Sequence, residues 1–144
     1  LDKRYSITDH PSDIGIKAWG TTPEQLFTNA AEGLYAVMTD PEAIKAQKRI
    51  DLSIKEDCTC GYEEAMVSWL EELIFWFETE KLLLRSFRIK KLETGKNINI
   101  EAEAWGENMD KNRHKIRVAI KAVTYHGLRV GKNKEWNAQV LFDV

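Results

Sequence analysis

The chain has 144 residues, a length that suits one domain around one hydrophobic core, and we expect a single domain over 1–144. Apolar residues make up 43% and charged residues 31%, a globular composition, and 21 Lys and Arg against 23 Asp and Glu give a formal net charge of −2. That balance excludes a chain whose main task is gripping phosphate backbones, although it leaves room for a local basic face. Apolar runs such as Leu73–Phe77 are too short to cross a membrane, and no signal-peptide pattern opens the chain, so a cytoplasmic protein without membrane partners is expected.

Arg4–Thr8 and Ile14–Gly20 read as two short strands around the turn Asp9-His10-Pro11-Ser12-Asp13, where Pro11 cannot occupy a central strand. Thr22-Pro23-Glu24-Gln25 is a helix start: Thr22 as N-cap, Pro23 as first helical residue, Gln25 as capping-box partner. Leu26, Phe27, Ala30, Ala31, Leu34, Tyr35 and Met38 then recur at helical spacing until Asp40-Pro41 ends the helix. Arg49–Lys55 alternates as a half-buried strand. Cys58 and Cys60 stand too close in sequence for an unstrained bridge and have no further cysteine partners. They are read as loop thiols before a helix, with half of a Cys/His zinc site as the alternative.

The second helix, about Glu63–Glu80, carries the stripe Met66, Leu70, Leu73, Ile74 and Phe77, widened by Trp69 and Trp76. Aromatic residues at this spacing are read as core rather than as a ligand box. The remainder is strand-rich: Leu84–Leu92, Asn97–Trp105, Ile116–Val123 and Glu135–Phe142 alternate with period two. Thr94-Gly95 and Gly131–Lys134 read as hairpin turns, and Gly106–Lys115 as a polar loop holding Glu107, Asp110, Arg113 and His114. The expected fold is α+β: a mostly antiparallel sheet with two helices packed on one face.

There is no G-x-G-x-x-G, no P-loop, and no nucleophile placed beside a base. Polar groups gather instead at strand ends and loops: His10, Asp13, Asp40, Glu107, Asp110, Thr124-Tyr125-His126 and Asp143-Val144. The run Glu135–Val144 alternates Trp136, Ala138, Val140 and Phe142 to the last residue. A strand carried that far would set the Asp143 carboxylate beside the α-carboxylate of Val144, paired oxygen anions of the kind that hold calcium or magnesium. Asp13 reads equally as a turn residue capping backbone N–H groups, His126 as a core histidine, and Asp40 as a helix-terminating turn residue.

Taken together these residues resemble the archease family. His10-Pro11-Ser12-Asp13-Ile14-Gly15 is similar to its opening H-[TP]-[AS]-D-[IV]-G, and the likeness runs on through Ala30–Leu34 to Val37–Asp40. Trp69–Ile74, the loop Gly106-Glu107 with Asp110 and Arg113-His114, Lys121–His126 and Trp136–Val144 match further family motifs in order. The resemblance implies a small accessory protein, not itself an enzyme. Its partner would be a GTP-dependent tRNA-splicing ligase, whose guanylylation and repeated turnover it would promote. It also implies a divalent cation, calcium or magnesium, on Asp13, Asp143 and the terminal carboxylate of Val144. His10, Asp40, Glu107, Asp110 and His126 are candidates for partner docking or for supporting the metal ligands. Direct contact with tRNA stays open. The competing expectations are a general chaperone-like module for RNA-modifying enzymes and a metal-dependent hydrolase.

Overall fold

A computed structural model describes residues 4–9 and 13–144. Seven strands and two α-helices alternate along the chain: β1 (Tyr5–Asp9), β2 (Ile14–Gly20), α1 (Pro23–Met38), β3 (Lys48–Glu56), α2 (Tyr62–Glu80), β4 (Leu82–Glu93), β5 (Ile98–Asn108), β6 (Ala122–Lys132) and β7 (Trp136–Asp143). Every strand pairing is antiparallel, and the α+β class expected from the patterning holds. The strands form two sheets, one ordered β1-β2-β7-β6 and one ordered β3-β5-β4. Both helices touch strands of both sheets. The core therefore lies where the helices meet the inner sheet faces: Ile16, Ala18, Val140 and Phe142 from one sheet, Leu52, Ile100, Ala102 and Ala104 from the other. No helix among the described residues is long and apolar enough to cross a membrane.

Local chemistry explains the helix ends. The Thr22 hydroxyl accepts the Gln25 N–H at 3.1 Å, as an N-cap does. Gln25 reaches back one residue further than a capping box requires, its Oε1 accepting from the Thr21 N–H at 2.6 Å and the Thr21 hydroxyl at 2.9 Å. At α2 the Glu64 carboxylate accepts from the Gly61 N–H at 2.9 Å. The aromatic stripe of α2 is core, as expected: Trp69 is fully buried and its indole N–H donates to the Phe27 carbonyl of α1 at 2.9 Å. Trp69→Phe keeps most of the packing but removes this tie between the helices. We expect a loss of about 2 kcal/mol. Thermal unfolding should read it as a midpoint lowered by roughly 4–8 °C.

Three expectations are corrected. Cys58 and Cys60 are not free thiols: they are joined by a disulfide, their Cα atoms 5.3 Å apart, a separation that a bridge accommodates. Residues 116–121 are not part of a strand. Their backbone partners lie elsewhere: the Arg117 N–H donates to the Met38 carbonyl at 2.8 Å, and its guanidinium to the Thr39 carbonyl at 2.9 Å, capping the end of α1. The strand starts only at Ala122 and runs on through Thr124-Tyr125-His126, which the sequence pattern had placed at a strand end. Finally, His126 is exposed rather than a core histidine. It sits in a bulge between Thr124 and Arg129, where four residues of β6 oppose Val140 alone.

Candidate functional site

Strand register decides where Asp13 falls. β2 and β7 pair with Ile14 opposite Phe142, Ile16 opposite Val140 and Ala18 opposite Ala138. Asp13 immediately precedes, and Asp143 immediately follows, the last paired position, Ile14 and Phe142. On the other side of β7, Asp143 faces Ala122 of β6, and its carbonyl accepts the Lys121 N–H at 2.8 Å. Asp143 is thus held by its pairing with Ala122 of β6 and by the Lys121 N–H just before that strand. Asp13, Asp143 and Val144 together line a depression of about 360 Å³ whose remaining wall is Ala122, Val123, Thr124 and Phe142. Asp143 is exposed, Val144 is half exposed and Asp13 is partly buried, so the oxygens are reachable from solvent.

Directly opposed like charges destabilise an antiparallel pair. Two aspartates beside the last rung of the ladder, lining one depression with Val144, would be favoured by a compensating positive charge. The donor set is all oxygen, which suits calcium or magnesium better than softer metals. Among the described residues no third His, Cys, Asp or Glu side chain joins them. A cation here would rest on the two aspartates, the Val144 carboxylate and water. His10 lies outside the described residues.

The other polar candidates occupy a second place. Glu107, at the end of β5, is buried, with 7% exposure. One carboxylate oxygen pairs with the Arg113 guanidinium; the other accepts the Lys45 N–H at 2.7 Å and lies 2.9 Å from His114 Nε2. The Asp110 N–H donates to His114 Nδ1 at 2.8 Å, so the ring carries its proton on Nε2 and shares it between Glu107 and the Ala43 carbonyl at 3.1 Å. Burial pushes the Glu107 pKa up. The hydrogen bonds from Arg113, Lys45 and His114 outweigh that and hold it at about 2, against an ordinary 4.5. Glu107 is thereby corrected as a docking candidate: a buried, fully engaged carboxylate presents nothing to a partner. It fastens the 107–114 loop to the turn after α1.

Asp40 and Asp110 flank this network and are exposed. Asp40 caps the 3₁₀ turn Pro41–Ala43 by accepting the Glu42 N–H at 3.1 Å, and Asp110 accepts the Asn112 N–H at 2.9 Å. The other Asp110 oxygen lies 3.5 Å from Arg113 Nε, so Asp40 is the freer of the two toward a partner. His126 is also exposed, but it does not line the Asp13–Asp143 depression. Sequence reasoning named Arg113 and His114 only as members of a polar loop; their role as holders of Glu107 depends on spacings of 6 and 7 residues across an irregular segment. Arg117 as the cap of α1 was missed altogether, since its acceptor Thr39 lies 78 residues away and no local pattern signals it.

Comparison with known proteins places the whole chain. The model of the archease protein family (MTH1598/TM1083) matches residues 5–144. The protein archease of Aeropyrum pernix is 35% identical over 138 residues, covering 94% of each chain. That of Methanosarcina barkeri is 34% identical over 144 residues, covering 99% of this chain and 97% of its own. The solution structure of Methanobacterium thermoautotrophicum protein 1598 superimposes with a TM-score of 0.81 at 27% identity, covering 97% of this chain and 98% of the other. A family match over nearly the whole length, with relatives above 30% identity end to end, leaves one assignment: this chain belongs to the archease family.

Proposed function

We propose that this protein is an accessory factor in tRNA processing that activates a GTP-dependent tRNA-splicing ligase, promoting the ligase's guanylylation and multiple turnover without joining RNA itself. It would do so with calcium or magnesium held by Asp13, Asp143 and the Val144 carboxylate, in the cytoplasm. The observation that carries the reading is that Asp13, Asp143 and Val144 line one depression at the open end of the β2–β7 ladder, in a chain of this family. When bound, the cation supplies the positive charge that these carboxylates lack. Asp13 and Asp143 then tie the entry of β2 to the exit of β7. The exposed carboxylates of Asp40 and Asp110 would be contact points for a basic RNA-binding enzyme, where opposite charge speeds encounter and sets orientation.

The test is ligase turnover at substoichiometric ligase with added protein. Wild type should give many ligations per ligase molecule; Asp143→Ala should reduce this at least tenfold while keeping its circular dichroism and, in chelator, its unfolding midpoint. Normal activation by the folded variant would remove Asp143 from the site.

One observation favours a second reading. Phe75 and Tyr125, 54% and 65% exposed, line one groove beside Val67 and Ile54. Exposed aromatic pairs suit a general chaperone-like module for RNA-modifying enzymes. That reading requires protection of several unrelated clients from aggregation, indifferent to Asp13→Ala and Asp143→Ala.

A further inference from the structure

The outer face of the β1-β2-β7-β6 sheet differs in character from the rest of the molecule. Ile16, Ala18, Ala138 and Val140 point into the core, so alternation sends Lys17, Trp19, Asn137 and Gln139 outward. Register then builds two adjacent rows across three strands: Lys17, Gln139 and Arg129 in one, Trp19, Asn137 and Gly131 in the next. With strands about 4.8 Å apart, the Lys17 and Arg129 backbones stand about 10 Å from each other, and the rows are about 7 Å apart. The rows floor a groove of about 470 Å³ that Lys134 and Glu135 complete.

Four features single the groove out. Three cations and one carboxylate line it, in a chain whose formal net charge is −2. Among the described residues none of Lys17, Arg129 and Lys134 forms a salt bridge. Gln139 fixes Arg129 in place: its amide oxygen accepts from the guanidinium at 3.1 Å while its amide nitrogen donates to the Gly127 carbonyl at 2.9 Å. Gly131 adds no side chain to the Trp19 row, and a Cβ built on it would meet nothing within 4 Å, so the space beside the half-buried indole is open.

Unpaired cations at fixed spacing bind phosphates, and a partly exposed indole one row away offers a surface on which a base can stack. We propose that this face binds a single-stranded RNA segment, its phosphates on Lys17, Arg129 and Lys134 and one unstacked base against Trp19, with the Asn137 amide within reach of the base edge. A duplex cannot serve, because its base planes are covered by their neighbours. The choice of RNA among polyanions rests on the proposed role beside an RNA ligase; the geometry of the groove does not.

The test uses the full chain and a fluorescein-labelled, mixed-sequence, 12-nucleotide single-stranded RNA, read by anisotropy at low salt. Saturable binding is expected, with log affinity falling against log salt at a slope of about −2 for three phosphate contacts. Lys17→Glu with Arg129→Glu should weaken binding at least tenfold. Lys90→Glu with Lys91→Glu, the same charge change on exposed residues of β4, should leave it within twofold. Trp19→Ala should cost about fivefold or more, and Trp19→Phe should restore most of that. No saturable binding, or equal loss in the two double variants, would overturn the proposal. So would polyglutamate displacing the RNA as readily as unlabelled RNA does. The assay contains no ligase. Binding without activation in the turnover assay contradicts the proposed function alone, and activation without RNA binding contradicts this groove alone.

Discussion

Glu107→Gln is expected to destabilise the fold by about 3 kcal/mol, because an amide cannot replace a carboxylate whose neighbours all donate. Arg113, the Lys45 N–H and His114 Nε2–H converge on its two oxygens. A glutamine turns an NH₂ group toward at least one of them and leaves the Arg113 charge without its counter-ion. The unfolding midpoint should fall by roughly 6–12 °C. The pH dependence has a definite sign. The folded-state pKa of Glu107 is about 2, below its ordinary 4.5. Its contribution is therefore present in full above pH 4.5 and lost as pH falls toward 2. Wild type should lose stability relative to Glu107→Gln across that acid window, and the two should converge near its lower end. Denaturant titrations at pH 7, 4 and 2.5 would show it; a constant difference at all three would contradict the network.

Gly106→Ala should be more damaging still. Gly106 is paired on both sides, with Lys48 of β3 and Leu84 of β4, beside the irregularity between Leu84 and Ser86. A Cβ at this position would overlap the Leu83 carbonyl oxygen, with the Leu83 carbonyl carbon and Leu84 Cα at 2.8 Å. These are backbone atoms held in the ladder, so no rotamer change relieves the clash. The expected cost is about 3 kcal/mol or more. Because Glu107 is the next residue, the variant should also lose the acid-dependent component that Glu107 gives wild type. Equilibrium unfolding checks the first expectation, and its pH profile the second. Wild-type stability in Gly106→Ala would mean that β4 and β5 do not approach as closely as described.

What could be read from the chain follows the range of the forces involved. Thr22-Pro23-Gln25 and the apolar stripe of α1 are local signals and placed the helix correctly. The turn at Asp9–Asp13 and the period-two runs together placed six of the seven strands, and Trp69 was rightly assigned to the core. The segment 116–121 misled because alternation reports which side chains are buried, not where backbone N–H groups find partners. Ile120 is indeed buried, but Arg117 bonds the end of α1. Two sheets in place of one could not be seen, since pairing order is a long-range property. The cysteines misled for a different reason: spacing in sequence does not settle the Cα separation of 5.3 Å. At the candidate site, the aspartates were singled out by chemistry and by family likeness; that they flank one rung of the β2–β7 ladder and line one depression is visible only in the structure. Glu107 was misjudged because its partners are held by loop geometry that no periodicity encodes.

The central claim is that Asp13 and Asp143 share a cation. Thermal unfolding with chelator, and then with calcium or magnesium at about 100 times the dissociation constant, tests it in wild type, Asp13→Asn and Asp143→Asn. Cation should stabilise wild type by about 2.7 kcal/mol. Each asparagine variant should match or exceed wild type in chelator, since one of two repelling charges is gone, and should show no rise with cation. Equal stabilisation of all three proteins by cation, or variants weaker than wild type in chelator, would contradict the account.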